Sequence, residues 1–226
     1  MPRLVYTSTP SVVFGNRELC GVDESQPYPD RYLAHYPDSK AEAERAVLAA
    51  NCDELLTVAL RPHLVWGPGD PHLIPRVIDR AQQGRLVQVG DGRNLVDIAY
   101  IDNVAEAHLL AADALEPGSA CAGKPYFISQ GEPVRLWAWL AGLLERVAVA
   151  PPSRRISYGT ARALGRVMEL TWSALRLSSE PRMTRFVASQ LALSHYFDIS
   201  AAKRDFGFQP RISTEIGLER LVDSLA

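Results

Sequence analysis

Cysteine is scarce in this sequence. Only Cys20, Cys52 and Cys121 occur, far apart and without CxxC spacing. That argues against a disulfide framework and a zinc site, and fits a reducing cytoplasm. No run of about 18 uncharged apolar residues occurs, so no segment is expected to span a membrane. Met1-Pro2-Arg3 leads straight into apolar residues, without the basic region and small-residue cleavage site of a secretory signal. Charge of one sign is lacking too, with 24 Lys+Arg against 26 Asp+Glu and a formal net charge of -2. Nucleic-acid-binding domains usually carry a marked basic excess, so nucleic acid is not an expected partner.

What is present is the composition of a globular chain: 226 residues, 47% hydrophobic and 22% charged, enough to bury a sizeable core. Residues 3–9 (RLVYTST) and 55–61 (LLTVALR) are apolar on successive positions, the pattern of parallel strands covered on both faces. Between them 36–50 (YPDSKAEAERAVLAA) predicts a helix, with a proline and acids early and alanines throughout. Strand, helix, strand in that order predicts a right-handed crossover of an α/β sheet. The pattern continues with a Pro/Gly-rich loop at 61–75, a helix to about Gln83, a turn at Asp91-Gly92 and a strand over 95–101. A helix that Asp102 can cap, a strand over 125–129 and a helix over 134–147 follow.

The texture changes after Pro151-Pro152, which divides the chain into residues 1–150 and a smaller, mainly helical part at 151–226. In that second part Arg162, Arg166, Glu169, Ser173 and Arg176 recur at steps of four and three, a narrow polar stripe on an otherwise apolar helix over 158–177. Such a helix packs on its own domain, covers a hydrophobic substrate as a lid, or lies in a membrane surface with its arginines toward head groups. A short helix ending at Gly207 and a last helix capped by Ser213 or Thr214 complete the chain.

Chemistry enters at Tyr36 and Lys40. Four apart, they lie one turn from each other on one helix face, and an ammonium near a phenol favours the phenolate needed for proton transfer. YxxxK by itself is a weak signal. It gains weight from the preceding strand, which ends in Thr7-Ser8-Thr9, because functional groups gather beyond the carboxyl ends of parallel strands.

With VYTSTPSVVFG (5–15), DESQPYP (23–29), YPDSKAEAERAVLAAN (36–51), ALRPHLVWGPGD (59–70), VGDGRNLVDIAYIDNVAEAHLLAA (89–112), YFISQGEPVRLWAWL (126–140) and SHYFDISAAKRDFGFQP (194–210), most of the chain resembles the extended short-chain dehydrogenase/reductases. It is most similar to their 3β-hydroxysteroid dehydrogenase group, which includes sterol-4α-carboxylate 3-dehydrogenases and 2-alkyl-3-oxoalkanoate reductases. The resemblance implies the C-terminal part of a Rossmann-like, doubly wound parallel sheet with a small helical substrate subdomain. It also implies NAD or NADP as cofactor, and interconversion of a hydroxyl and a keto group on a hydrophobic steroid-like or long-chain 3-oxo substrate.

Carried over residue by residue, Tyr36 is the general acid/base, Lys40 holds the nicotinamide ribose, and Thr9 offers the hydroxyl that binds the substrate oxygen, with Ser8 as the alternative donor. Pro62, His63 and Val65 fall where the resemblance puts nicotinamide contacts, although a loop histidine is as readily a structural one. Arg93 falls where related sugar-nucleotide enzymes bind a diphosphate. No metal is expected, since nothing accompanies His63 at a ligand spacing.

No GxGxxG or GxxGxxG turn occurs anywhere in the sequence. The chain therefore reads as the C-terminal two-thirds of such an enzyme: residues 3–9 are expected to expose an unpaired sheet edge prone to association, and the isolated chain to bind nicotinamide cofactors weakly and turn over poorly. The alternatives are a sugar-nucleotide epimerase or dehydratase and a non-catalytic binding module. A homodimer, and a cytoplasmic protein with peripheral membrane contact, complete the expectations.

Overall fold

The computed structural model describes residues 1–177, 179 and 181–225. Strand β1 (Arg3–Thr7) passes through a 3-10 turn (Pro10–Val13) and strand β2 (Leu19–Val22) to helix α1 (His35–Ala49), then to strands β3 (Leu56–Pro62) and β4 (Val65–Trp66). Helix α2 (Leu73–Gln82), strands β5 (Val87–Val89), β6 (Leu95–Val96) and β7 (Ala99–Tyr100), and helix α3 (Ile101–Ala114) follow. Next come β8 (Lys124–Ile128), β9 (Val134–Arg135), α4 (Leu136–Arg146), β10 (Arg154–Ile156) and α5 (Tyr158–Ala174). The chain ends with α6 (Arg185–Ala192), β11 (His195–Phe197), α7 (Ser200–Phe206) and α8 (Thr214–Leu225).

The sheet that positions the site is parallel, ordered β1-β3-β8, with Thr7 opposite Leu60 and Pro62 opposite Ile128. All seven residues of β3 are buried, as a central strand flanked on both edges and covered on both faces requires. Strand β1 has a neighbour on one side only among the described residues, and Leu4 is exposed there. This is an α/β fold with parallel sheets. A second sheet, β2-β11-β6-β9, places β11 parallel to both β2 and β6. Strand β10 pairs with β5, so segments beyond residue 151 are woven into strands from the first hundred residues.

Two apolar clusters form the interior. One gathers Val58, Leu60, Phe127, Ile128, Val104 and Phe208 around the β1-β3-β8 sheet. The other gathers Trp66, Tyr100, Ile98, Leu140, Leu143 and Leu221 around α4 and α8. In the second, Gly217 lets α8 approach Trp66 and Tyr100, since a Cβ there would lie 2.7 Å from the tyrosine ring. Asn103 and Gln130 tie the last segment down, both donating to the Ile212 carbonyl at 2.8 Å.

Two local expectations change. Residues 95–101 do not form one strand: the chain breaks into β6 and β7 around Asp97, whose carboxylate accepts the Phe197 N–H at 2.9 Å. Asp102 does not cap α3, because the helix starts at Ile101 and puts it in the first turn. There it meets Arg220 at 3.2 Å and still favours the positive helix end. Ser213 caps α8, accepting the Ile216 N–H at 3.3 Å. Gly207, at φ 70, ends α7 in the left-handed conformation.

Candidate active site

The carboxyl end of β1 and the first turn of α1 meet. The Ser8 N–H donates to the Leu60 carbonyl at 2.6 Å and carries the β1-β3 ladder one residue past Thr7. Thr9 is buried and caps the 3-10 turn, its hydroxyl oxygen accepting the Ser11 N–H at 3.2 Å. That bond uses an acceptor site and leaves the hydroxyl proton free to donate. Ser8 Oγ is buried without a hydrogen-bond partner. Tyr32 donates its hydroxyl to the Val12 carbonyl at 2.7 Å, fastening the approach to α1 onto the same turn.

Helix α1 begins without a side-chain cap, and Pro37, buried in its first turn, supplies a preset helical φ instead. Lys40 donates from Nζ to the Thr7 carbonyl at 2.6 Å, with its ammonium 4.6 Å from the centre of the Tyr6 ring. Tyr36, one turn earlier, is 54% exposed and makes no side-chain hydrogen bond to Lys40 or Thr9 among the described residues. Lys40 is thus fixed to the strand end that carries Thr9, and the Tyr36 phenol stands open to solvent beside it.

One further turn along the same face is Glu44, fully buried. Its carboxylate receives both Nε (3.0 Å) and Nη2 (2.6 Å) of Arg61 from β3, and the Tyr28 hydroxyl. Burial by itself would raise the Glu44 carboxyl, but the Arg61 guanidinium prevails and holds it below the usual carboxylate range. The Tyr28 phenol is pushed up to about 12 by burial and by the adjacent carboxylate. This cluster locks α1 to the strand beneath it. The sequence signal for it was the second step of four in Tyr36, Lys40, Glu44.

Pro62 ends β3. His63 is bonded through its backbone N–H to the Ile128 carbonyl at 3.2 Å, and its side chain is buried against His195, Nε2 to Nδ1 at 2.7 Å. His195 Nε2 lies 2.9 Å from the Gln190 carbonyl, which can only accept. The proton pattern follows: His195 carries its proton on Nε2, and His63 donates its own to His195 Nδ1. Burial keeps both imidazoles neutral, His63 well below its ordinary value with His195 adding to the shift.

Val65 lines an apolar cavity of about 300 Å³ with Trp66, Pro68, Pro71, Leu73 and Ile101. Asp70 shapes its rim by capping α2 with both carboxylate oxygens, 2.8 Å to the His72 and Ile74 N–H groups. A second cavity of about 310 Å³, polar and lined by Asp23, Lys124, Tyr126 and Arg204, lies along the outer edge of β8. Neither is lined by Tyr36, Lys40 or Thr9. Arg93 is exposed in the turn where Asp91 accepts its backbone N–H at 2.9 Å, and its guanidinium makes no hydrogen bond among the described residues.

Residues 1–157 match the 3-beta hydroxysteroid dehydrogenase/isomerase family. The chain belongs to that family. It is 52% identical over 227 residues to a 2-alkyl-3-oxoalkanoate reductase of Stenotrophomonas maltophilia, covering 99% of this chain and 68% of that protein. It is 34% identical over 227 residues to the decarboxylating sterol-4-alpha-carboxylate 3-dehydrogenase of Mus musculus, covering 98% and 63%. This family member therefore spans roughly two thirds of the length of those relatives. Among solved structures, MoeE5 in complex with UDP-glucose and NAD is 26% identical with a TM-score of 0.68, covering all of this chain and 65% of the other.

An exposed phenol and, one helical turn on, an ammonium held at the end of β1 are groups of the kind that could hold the nicotinamide riboside end of a dinucleotide. A strand, glycine-rich turn and helix that would cradle a pyrophosphate do not occur among the described residues.

Proposed function

We propose that this chain is the catalytic part of an NAD(P)-dependent oxidoreductase. It interconverts a secondary alcohol and a ketone on a hydrophobic substrate of the sterol or long-chain 3-oxo acid type. The observation that carries the reading is Lys40 bonded to the Thr7 carbonyl, which fixes the start of α1 to the strand end bearing Thr9. The bound nicotinamide supplies or accepts the hydride.

The chain's own groups handle the proton and the oxygen. Thr9, its oxygen already accepting from Ser11, donates its hydroxyl proton to the substrate oxygen. Tyr36 gives its phenolic proton to that oxygen in reduction and takes it back in oxidation. Lys40 brings positive charge to the end of β1 and holds the ribose hydroxyls. Pro62 and the backbone of His63 form the floor beneath the nicotinamide. Val65 opens onto the apolar cavity, whose lining suits a hydrocarbon substrate better than a sugar.

Tyr36→Phe tests the assignment. In an assay following reduced-nicotinamide absorbance, kcat should fall at least about 100-fold, the scale of general acid–base catalysis, while cofactor affinity stays within a few-fold. Unchanged turnover would remove Tyr36 as the proton donor. Arg93 separates this reading from a sugar-nucleotide one: Arg93→Ala leaves turnover of a 3-oxo acid or sterol substrate intact here, whereas a diphosphate-binding role predicts that it abolishes UDP-sugar binding.

A further inference from the structure

The β1-β3-β8 sheet ends in two unlike edges. At β8 the Ile128 carbonyl accepts the His63 N–H, so by alternation Pro125 and Phe127 turn their backbone groups outward. Pro125 has no N–H to offer, and the Phe127 N–H is taken by the Glu24 carboxylate at 2.9 Å. That edge is closed to a further strand.

At β1 the Pro2 carbonyl accepts the Leu56 N–H at 3.1 Å and the Ser8 N–H reaches the Leu60 carbonyl, so the even-numbered residues face β3. Arg3, Val5 and Thr7 turn their backbone groups outward, and their N–H groups meet no acceptor among the described residues. Of their carbonyls only that of Thr7 is engaged among those residues, by Lys40, and it keeps a second lone pair. The side chains leave this edge clear. Arg3 folds back to the Ala112 carbonyl at 2.9 Å, and Thr7 Oγ1 lies 2.8 Å from His108 Nε2, both on α3. Leu4 and Tyr6 occupy the opposite face, Leu4 being 39% exposed. Every other strand among the described residues is already paired elsewhere, so none of them is left to cover β1.

We propose that the β1 edges of two copies of this chain pair antiparallel about a two-fold axis at Val5, joining their sheets into one. The segment RLVYT is self-complementary in that register. Val5 meets the partner's Val5, Leu4 the partner's Tyr6 and Arg3 the partner's Thr7, so apolar side chains oppose one another and no charge faces its like. An axis at Arg3 would set the guanidinium against its own copy, and one at Thr7 would carry the ladder into the 3-10 turn at Pro10. A strand of five residues makes a small interface, hence a dimer that forms and dissociates with concentration. This pairing is independent of the redox assignment and stands or falls without it.

Sedimentation equilibrium of the full chain between about 1 and 100 μM, where a small interface titrates, should show the mass rising from one chain toward two. Leu4→Lys and Val5→Pro should each raise the dissociation constant at least about tenfold, the first by placing a lysine on the edge and the second by removing an outward N–H that β3 does not use. Thermal melting confirms that each variant is folded, and Leu170→Lys, at an exposed leucine on α5, should leave the dimer intact. The register is tested in a chain carrying Cys20→Ser and Cys52→Ser at its exposed cysteines. There Leu4→Cys with Tyr6→Cys should oxidise to a covalent dimer at least about tenfold faster than Leu4→Cys alone, because directly opposite positions bring the sulfurs within bonding distance. A monomer at every concentration would overturn the proposal. So would a dimer that Leu4→Lys or a folded Val5→Pro leaves unweakened, a dimer lost in Leu170→Lys, or equal cross-linking rates.

Discussion

Two buried polar clusters lie on either side of the stacked rings of Phe127 and Phe197, and they solve the problem of burial in opposite ways. Beneath α1, Glu44 and Arg61 stay charged and neutralise each other, with Tyr28 completing the carboxylate's shell and Phe127 under the guanidinium. Around β11, His63, His195 and Asp97 are held without a charged partner, and burial moves each toward its neutral form. The paired cluster sits one helical turn behind Lys40, so it fixes α1 by a directional, bidentate bond. The neutral cluster joins the end of β3 to a strand 132 residues away.

The sharpest way to break this contrast is to remove one partner of the ion pair. Glu44→Gln leaves Arg61 buried with no counter-charge, and Arg61 Nη1 is already without a hydrogen-bond partner. Such losses cost about 3–5 kcal/mol. Urea denaturation should register that loss, and kcat should fall with it because α1 no longer has a fixed register on β3. Combining Glu44→Leu with Arg61→Met should recover a large part of the stability and little of the activity. Full recovery of both would reduce the pair to packing.

Asp97 sharpens the other side. Its Oδ1 has no partner, and burial raises its carboxyl to about 6 against the downward pull of the Phe197 N–H and Ser129. The folded protein therefore holds this proton more tightly than the unfolded chain, whose carboxyl titrates near 3.8. The contribution is favourable at low pH and is lost as pH rises through about 6, a swing of roughly 3 kcal/mol at most. Asp97→Asn keeps an acceptor for Phe197 and cannot ionise. It should raise the denaturation midpoint at pH 8 and change it little at pH 4. A loss at pH 8 would mean that the carboxylate is well satisfied in the fold.

The ion pair and the neutral cluster also differ in how far the sequence foreshadowed them. Helix α1 was legible to within a residue from its alanines, early acids and Pro37, and β1 and β3 from their unbroken apolar runs. The grouping of Thr9 and Lys40 at one strand end followed from sheet topology. Glu44 shared the spacing of Tyr36 and Lys40, but its partner Arg61 lies on another element, and no periodicity reports such a pairing. Strands β2 and β11 were not foreseen, because three or four residues give no period and their pairing spans more than 170 positions. His63 stood as a lone loop histidine with two equal readings, and its partner became visible only when β11 was placed. Asp102 had the right residue type for a cap two positions too late, a misreading within the usual uncertainty of helix ends.

The smallest expected effect concerns His63 itself. In the folded state both imidazoles resist protonation, so the unfolded chain takes up protons more readily below its own value near 6.5. The stability contributed by the pair is therefore complete above that value and is lost as pH falls beneath it, the reverse of the Asp97 contribution. The two slopes oppose each other between about pH 4 and 6.5. In His63→Gln the side-chain amide can still donate to His195 Nδ1, so at pH 8 the cost should be no more than about 1 kcal/mol, the worth of one neutral hydrogen bond. Removal of one suppressed imidazole should flatten the acid limb, so that the Asp97 gain emerges and the urea midpoint falls less between pH 8 and pH 5 than in the parent protein. An identical fall in both proteins would mean that His63 titrates freely in the fold, and the cluster around β11 would then not be held neutral by burial.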